Sequence, residues 1–416
     1  MRRRMLRAAA LQACMLLALP LQAADRAPPP DLPATELARQ AIDQEPGVIE
    51  ARRAFDASTH GAAALRASPN EWTTRLSAQR RRYDIGANSN EWQAALERTV
   101  RVGGKARIDS QLGDTELVIA QARIDEARHE AARALADLWI DTLAAIRLQE
   151  LLAEQLAFAE TNHQAVQSRQ RAGDASLLDL NVARADVLEV QRQRSAAVTD
   201  EAKARARLRG RFPQLSFAPV PLAEPHELDW QEAQWRERIL AESDPLRIAA
   251  GQLRKAELTA SRSRADRVPD PTFGVFTGSE ANRSERIVGL SVSIPLSGTY
   301  REARMRQALQ EAEVARASLE RQRSEQESEI AETVLDANGA LARWRLSELG
   351  LATTRDSARL TQRAYTLGEA DLQALLLARR QSLDAATAAV QARVQALRRH
   401  YRLLVDAHLI WGLADE

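Results

Sequence analysis

The sequence predicts a mainly α-helical protein with a small β part, built from two copies of one elongated unit. Three observations support this prediction. A glycine-centred turn occurs twice, at 170–179 and at 365–374. Very long Ala-, Glu- and Arg-rich segments with few helix breakers flank both turns, and short stretches of alternating polar and apolar residues precede them. Only 4% of the residues are aromatic although 45% are apolar, which favours closely packed helices over large globular cores.

Residues 1–23 have the layout of a secretory signal peptide. Four arginines accompany an apolar run from Leu6 to Leu21, and the residues that follow supply a small-residue cleavage site. The alternative is a lipobox in which Cys14 is lipidated, but little of the apolar run precedes this cysteine. We therefore expect a mature protein that leaves the cytoplasm and has lost its only cysteine.

The charge of the mature chain gives no support to a nucleic-acid partner. Residues 1–23 carry four arginines and no acidic residue, so their removal changes the formal charge from +1 to −3. No later segment offers the roughly eighteen consecutive apolar residues of a transmembrane helix. If the mature chain enters a membrane, it must do so through β-strands.

The first structural repeat is assigned to residues 24–210. Stepping by seven from Leu117 to Val166 gives an apolar residue at every step, which is typical of a coiled-coil seam. A proline-rich lead comes first, at 24–33. The elements predicted after it are a helix at 36–67 capped by Thr35 and broken or restarted at Pro46, strands at about 72–83 and 92–102, a long helix at 105–171, the tip at 170–179 and a return helix at 176–209.

A proline-rich linker at 211–229 leads to the second repeat, 230–416, which has the same order. Its last strand places Val288, Leu290 and Val292 on one face and glycine and serine on the other, so that one face suits lipid and the other water. The predicted elements are a helix at 230–267 interrupted at Asp244-Pro245, strands at about 272–278 and 286–296, a long helix at 299–366, the tip at 365–374 and a return helix at 371–408.

Four strands cannot close a barrel by themselves. An open sheet edge in lipid leaves backbone groups unsatisfied, so a membrane-spanning form must oligomerise, and three chains would supply twelve strands. The alternative from the pattern alone is a soluble hairpin packed on helices.

This order of elements resembles the TolC family of outer-membrane efflux channels over essentially the whole mature chain. The resemblance rests on the duplication, on the strand pair followed by a helix of about 60 residues, on Pro46 and Pro245, and on the tips. The tip pattern of the family is approximately Tyr-x-x-Gly, then five residues, then Asp-x-Leu-x-Ala. The second tip has Tyr365 and Gly368 but Ala374 in place of the Asp.

The first tip matches the other part of the pattern, with Gly173 and Asp179 but Gln170 in place of the Tyr. Within the family, the stretch 100–107 looks like the strand exit of the heavy-metal (CzcC-like) branch, where Gly-Gly-Lys-Arg is common. Here Ala106 separates Gly-Gly-Lys from Arg107. The resemblance therefore favours the heavy-metal branch over channels for drugs, solvents or polypeptides.

The resemblance implies a homotrimeric α-helical tunnel joined to a 12-stranded β-barrel, with four strands per chain. It places the protein in the outer membrane of a Gram-negative cell, in contact with outer-membrane lipid and extending into the periplasm. It also implies a periplasmic adaptor (membrane fusion protein) and an inner-membrane pump, of the RND type for this branch. The channel would be a passive duct with no enzymatic activity and no cofactor. A periplasmic coiled-coil scaffold or adaptor is the alternative from a different class.

The tips would form the periplasmic entrance. Carboxylates repeated by symmetry favour cations and can close a pore through salt bridges with arginines, although Asp174 and Asp371 could equally be helix caps. Tyr365 resembles the gating tyrosine of the family, and because neither tip has the complete motif, we expect a gate shared between Asp179 and Tyr365. The predicted entrance residues are Arg169, Arg171, Gly173, Asp174, Asp179, Tyr365, Gly368, Glu369, Asp371 and Arg379.

Catalytic sites are not predicted. Glu126-x-x-His129 and Glu160-x-x-His163 have the spacing of di-iron bundles, but they lie far apart on one helix and are interpreted as accidental surface pairs. Gly103-Gly104-Lys105 lacks the rest of a phosphate-binding loop. The remaining histidines form no ligand cluster that the sequence reveals: His60, His226, His400 and His408.

Overall fold

The computed structural model describes residues 27–413, so the predicted signal peptide and Cys14 lie outside the described residues. A short 3-10 turn at Ala281–Arg283 separates the last two strands. The helices are α1 (Thr35–Asp43), α2 (Pro46–Ala67), α3 (Lys105–Ala172), α4 (Leu177–Arg211), α5 (Glu232–Ala241), α6 (Asp244–Ala265), α7 (Thr299–Leu367) and α8 (Leu372–Asp406), and the strands are β1 (Trp72–Arg81), β2 (Ser89–Thr99), β3 (Thr272–Glu280) and β4 (Glu285–Ser293).

Both halves of the chain repeat one order of elements: two helices, two strands, a long helix and a return helix. Pro46 and Pro245 lie in the first turn of α2 and α6, where the missing N–H of proline costs no intrahelical hydrogen bond. Pro46 therefore marks a helix start. Thr35 is the first residue of α1 and not its cap, because the capping position belongs to Ala34, which makes no side-chain cap.

The four strands form one antiparallel sheet in the order β1-β2-β3-β4. The central pairing of β2 with β3 joins the two repeats, with Leu96 opposite Val275. The strand predicted at 92–102 lies three residues earlier, because its ladder to β1 continues to the Arg81–Ser89 pair. The strand predicted at 286–296 ends at Ser293, two residues before Pro295, which has no N–H to extend the ladder.

The two long helices extend away from the sheet. Helix α3 has 68 residues and α7 has 69, so each spans on the order of 100 Å from its start beside the sheet to its end at a tip. The predicted seam of α3 is buried or half-buried at every step from Leu117 to Val166. No helix within residues 27–413 combines the length and the apolar character needed to cross a membrane.

Small side chains allow the helices to approach closely, as the alanine content suggests. A Cβ atom at Gly113 of α3 would lie 3.0 Å from Cα of Ala62 in α2. A Cβ at Gly251 of α6 would lie 2.6 Å from Cγ1 of Ile119 in α3, so the backbone of α6 rests directly on α3.

The main hydrophobic core lies midway along the long helices, where α1, α3, α5, α7, α8 and the C-terminal segment meet. Trp411 is fully buried there, and its Nε1 donates a hydrogen bond to the carbonyl of Pro33 over 3.0 Å. Arg39 Nε donates to the carbonyl of Trp411 over 2.8 Å. These contacts fasten the C-terminal segment to the beginning of the described chain.

Candidate functional site: the sheet and the hairpin tips

One face of the sheet is apolar and uncovered. Residues directly opposite one another in an antiparallel ladder lie on the same face, so Leu76 and Val288 share a face through their intervening partners in β2 and β3. Leu290 lies on this face one ladder step away. The side chains are 76% exposed at Leu76, 83% at Val288 and 82% at Leu290. An apolar surface of this extent is typical of a membrane or protein contact.

The opposite face of the sheet is polar and charged. Arg75 lies 3.3 Å from Glu97 across the β1–β2 ladder, and Arg81 lies 3.1 Å from the buried Glu91. Gly289 makes room on this face, because a Cβ atom there would lie 2.4 Å from Cζ of Phe276. The sheet thus separates an apolar surface from a polar one, which is the alternation predicted for β4.

Both outer strands of the sheet have one edge without a partner in the described chain. The strand β1 pairs with β2 and the strand β4 pairs with β3, so the outer edges offer backbone N–H and C=O groups for further pairing.

Lys105, the first residue of α3, binds the segment that connects α6 to β3. Its side chain is 1% exposed, and Nζ donates hydrogen bonds to the carbonyl of Val268 over 2.7 Å and to Oδ1 of Asp270 over 2.8 Å. The Val102 N–H donates to the same carboxylate over 2.9 Å. Burial alone would raise the pKa of Asp270, but these two hydrogen bonds hold the pKa below its usual value. The lysine of the Gly-Gly-Lys motif is therefore a structural cation.

Both tips are helix ends closed by a left-handed glycine. Gly173 has φ +85° and Gly368 has φ +80°, a conformation that other residues rarely adopt. The N–H of Asp174 donates to the carbonyl of Arg169 over 2.8 Å, and the N–H of Glu369 donates to the carbonyl of Ala364 over 2.9 Å. The two predicted turns therefore have one shared geometry.

The helices that leave the tips are capped differently. Ser176 Oγ accepts a hydrogen bond from the Asp179 N–H over 3.0 Å, and the Asp179 carboxylate accepts from the Ser176 N–H over 3.1 Å, which makes a reciprocal capping box. The hydrogen bonds from Ser176 lower the pKa of Asp179. Asp371 caps α8 by accepting from the Ala374 N–H over 2.7 Å. Asp371 therefore caps a helix, which was the alternative to an entrance role. The same alternative is wrong for Asp174, because the cap of α4 is Ser176.

The two tips meet through Arg169 and Tyr365. Arg169 Nη1 donates to the Tyr365 hydroxyl over 3.2 Å, and its guanidinium carbon lies 5.5 Å from the centre of the Tyr365 ring. Beneath this contact, an apolar cluster of residues from α3, α4 and α8 packs the hairpins together: Val166, Ala183, Leu372 and Leu375. Within one chain, the structure thus brings Arg169 and not Asp179 to Tyr365.

The other predicted entrance residues do not form ion pairs with one another within residues 27–413. The guanidinium of Arg169 donates to the Tyr365 hydroxyl and, over 3.4 Å, to the Asp174 carbonyl, and among residues 27–413 it forms no ion pair with a carboxylate of the tips. Arg379 instead stacks on Phe158, with its guanidinium carbon 3.4 Å from the ring centre, and burial lowers its pKa. Arg171 and Glu369 are exposed at the tips.

Exposed leucines at the tips are a feature that the sequence interpretation did not use. Three leucines at the turns are largely exposed and are not members of the hydrophobic clusters described above: Leu177, Leu178 and Leu367. The leucines that follow Gly173 were the available signal at the first tip, whereas Leu372, which follows Gly368 at the second tip, is buried. Such residues give the end of the molecule an apolar surface next to its carboxylates.

His129 is not a surface residue, so the interpretation of its pairing with Glu126 as an accidental surface pair is wrong. The side chain is buried, because the C-terminal segment folds over this part of α3 and brings His408 to it. The rings of His226 and His400 also meet, with centroids 4.6 Å apart. Four of the six histidines thus form two pairs that only the tertiary structure creates.

No protein-family model and no curated protein matches this sequence. Solved structures do resemble the fold. The outer-membrane channel OprN aligns with a TM-score of 0.77 at 19% identity, over 91% of this chain and 90% of that one. The chain has the fold of the TolC-family outer-membrane channels. CusC aligns with a TM-score of 0.75 at 12% identity, over 89% and 91% of the two chains.

The Campylobacter jejuni CmeC outer membrane channel aligns with a TM-score of 0.75 at 14% identity, over 91% of this chain and 85% of that one. The predicted fold class, mainly helical with four strands per chain, is confirmed. At these identities the likeness concerns the fold, and it does not distinguish the heavy-metal branch from other TolC-family channels.

Proposed function

We propose that this chain is the outer-membrane channel of a tripartite efflux system in a Gram-negative cell. The observation that carries the proposal is the sheet, which has one apolar uncovered face, one polar face and two free edges. This sheet lies at the end of helices about 100 Å long, a length suited to a duct that crosses the periplasm.

The free edges support a homotrimer. Pairing β4 of one copy with β1 of the next satisfies the backbone groups of both edges, and three sheets of four strands then close into a twelve-stranded barrel. The apolar face meets outer-membrane lipid, whereas Arg75, Glu97 and Glu91 line the water-filled interior. The long helices continue the barrel as a tunnel.

The tips support docking to a periplasmic adaptor. Exposed leucines beside carboxylates and arginines provide an apolar surface with charged surroundings, which suits another protein. An inner-membrane pump, of the RND type in the heavy-metal branch, would supply energy and substrate. The channel is then a passive duct with no enzymatic activity and no cofactor.

We further propose heavy-metal cations as the substrate, with drugs, solvents or polypeptides as the alternative. The support is the resemblance at residues 100–107 and the carboxylates at the tips, which favour cations. Lys105 itself contributes nothing to selectivity, because it is buried in the ion pair with Asp270.

Deletion of the gene tests the substrate. Growth is measured on zinc, cobalt, cadmium, copper, nickel and several drugs, with the wild-type gene restored as the control. We expect lower metal tolerance in the deletion strain. Unchanged metal tolerance together with increased drug sensitivity would contradict the metal assignment and leave the channel intact.

Cell fractionation separates the channel from the periplasmic scaffold. We expect the protein in the outer membrane, as an oligomer whose gel mobility changes on heating. A protein recovered soluble from the periplasm would end the channel proposal, because a scaffold has no use for the uncovered apolar face of β4.

A further inference from the structure

Three potential metal ligands meet in the interior at the level of the main core. His129 comes from the middle of α3, Asp244 is the first residue of α6, and His408 lies in the turn after α8. All three are buried, and each offers one ligand atom within 4.8 Å of the others. The three elements belong to both repeats, so the cluster exists only in the folded chain.

The orientation of His129 is set by a carboxylate on its far side. Nε2 lies 3.1 Å from Oδ1 of Asp406, and Arg133 Nε donates to the same oxygen over 2.7 Å. Because an ionised carboxylate only accepts hydrogen bonds, Nε2 carries the hydrogen that faces Asp406, and Nδ1 is the ring nitrogen that faces the cluster. A carboxylate behind the imidazole is the usual arrangement of metal-binding histidines.

The second imidazole is held against the first. His408 Nε2 lies 3.0 Å from His129 Nδ1, and His408 adopts a left-handed backbone conformation with φ +53°. Its Nδ1 is buried and has no hydrogen-bond partner among the described residues.

The charges around the cluster allow a cation. Arg247 Nη1 lies 2.9 Å from Oδ1 of Asp244, while its Nη2 lies 3.2 Å from Oδ2 of Asp125. Arg247 therefore keeps a carboxylate partner when Asp244 also binds a metal ion. The positive charge of Arg133 is offset by Asp406.

We propose that His129, His408 and Asp244 bind one divalent transition-metal ion, of which Zn²⁺ is the best fit, with water as a fourth ligand. Two nitrogens and one carboxylate oxygen are a common zinc ligand set, with Zn–N bonds of about 2.0–2.1 Å. Tetrahedral binding places two such nitrogens about 3.3 Å apart, so the two rings need to separate by only a few tenths of an ångström. The ion would join α3 of the first repeat to the second repeat and to the C-terminal segment.

This site is distinct from the transport path that we propose, because its ligands are buried between helices and do not lie at the tips. Its test is independent of export. A strain with unchanged metal tolerance would contradict the substrate proposal without bearing on zinc bound to the purified protein.

The experiment uses the mature protein, purified in detergent with a tag that contains no histidine and then freed of metal with a chelator. After incubation with micromolar Zn²⁺ and gel filtration, we expect one zinc per chain by elemental analysis. His129→Gln and His408→Gln should each weaken zinc binding at least tenfold. The control is His60→Gln, because His60 is exposed on α2, and it should bind as the wild type does.

The absence of stoichiometric zinc, or equal zinc binding in the wild type and His129→Gln, overturns the proposal. If the histidine variants fail to form native oligomers, the decision rests on the wild type loaded with Co²⁺. Tetrahedral cobalt with imidazole ligands gives strong visible absorption and nitrogen couplings in pulsed electron paramagnetic resonance. A weak, octahedral spectrum without imidazole coupling excludes the site.

Discussion

Lys105 is the buried cation through which the sheet is fastened to the helices. Lys105→Ala leaves Asp270 and the Val268 carbonyl without their common partner. We expect a loss of about 3 kcal/mol in the free energy of unfolding, the low end for a broken buried ion pair, because Asp270 retains some contact with water. Denaturant unfolding of the detergent-solubilised protein, followed by circular dichroism, measures this loss.

A matched control is available on α4. Lys203 and Asp200 form an exposed ion pair of 3.2 Å, so Lys203→Ala should cost less than about 0.5 kcal/mol. Equal losses in the two variants would contradict the structural role of Lys105.

The ion pair of Lys105 also predicts a pH dependence. Because the folded-state pKa of Asp270 is lowered, the pair stabilises the protein above the unfolded pKa of about 4 and this stabilisation is lost as the pH falls through the folded value. The difference in stability between the wild type and Lys105→Ala should therefore shrink when unfolding is measured below pH 4.

The contact between Arg169 and Tyr365 can be tested for its role in closing the entrance at the tips. We expect Arg169→Ala and Tyr365→Ala each to raise the conductance of the reconstituted channel, because each releases the contact that joins the tips. The conductance of the double variant should be little higher than that of either single variant. This corresponds to a coupling energy of about 0.5–1 kcal/mol, as for an exposed cation–π pair. Single-channel recordings in planar bilayers measure the conductance of each variant, and the open probabilities of the single and double variants give the coupling energy.

Asp179→Asn is the comparison for this pair. The carboxylate bonds to Ser176 within its own helix start, so its loss should loosen α4 without coupling to Tyr365. Strict additivity of Arg169→Ala and Tyr365→Ala, or coupling of Asp179 to Tyr365, would show that the entrance is closed by other contacts.

At the scale of whole elements, the left-handed glycines decide where the long helices end. Gly173→Ala and Gly368→Ala meet no steric obstacle, but each places a side chain at positive φ, which costs about 1–2 kcal/mol. We expect hydrogen exchange at the affected tip to become faster. Gly350→Ala in the middle of α7 is the control, and it should stabilise the helix by up to about 1 kcal/mol because it also meets no obstacle.

The two faces of β1 give a test of membrane insertion. Leu76→Arg places a charge on the apolar face and should cost about 2–4 kcal/mol near the middle of the bilayer, whereas Ser77→Arg places it on the polar face. We expect less outer-membrane oligomer for Leu76→Arg and a normal amount for Ser77→Arg. Equal amounts in membrane fractions would argue against lipid on the face of Leu76.

At the scale of the whole molecule, the core is completed by the C-terminal segment. Trp411→Ala removes a fully buried side chain and its hydrogen bond to the Pro33 carbonyl, so we expect a loss of about 3–5 kcal/mol in unfolding free energy. Trp72→Ala on the exposed sheet face is the control for the same experiment in detergent. If Trp411→Ala unfolds like Trp72→Ala, the segment is not part of the cooperative core.

Much of this architecture was predictable from local patterns. The tips follow from Gly173 and Gly368, because a helix end needs a residue at positive φ, and the long helices follow from the apolar step of seven in α3. The face of β4 follows from strict alternation. Strand ends were predicted less well, since the pairing of Ser89 depends on the opposite strand.

The sequence by itself determined the duplicated unit, the mainly helical fold and the two-faced strands, because periodicity and helix-ending residues act within a few turns of chain. Only the tertiary structure decided that Arg169 meets Tyr365, that Lys105 is an internal ion-pair partner, and that His129 lies against His408. Those contacts join residues 165 to 279 positions apart. They depend on how long helices dock, and docking is set by packing over the whole core, which no local pattern records.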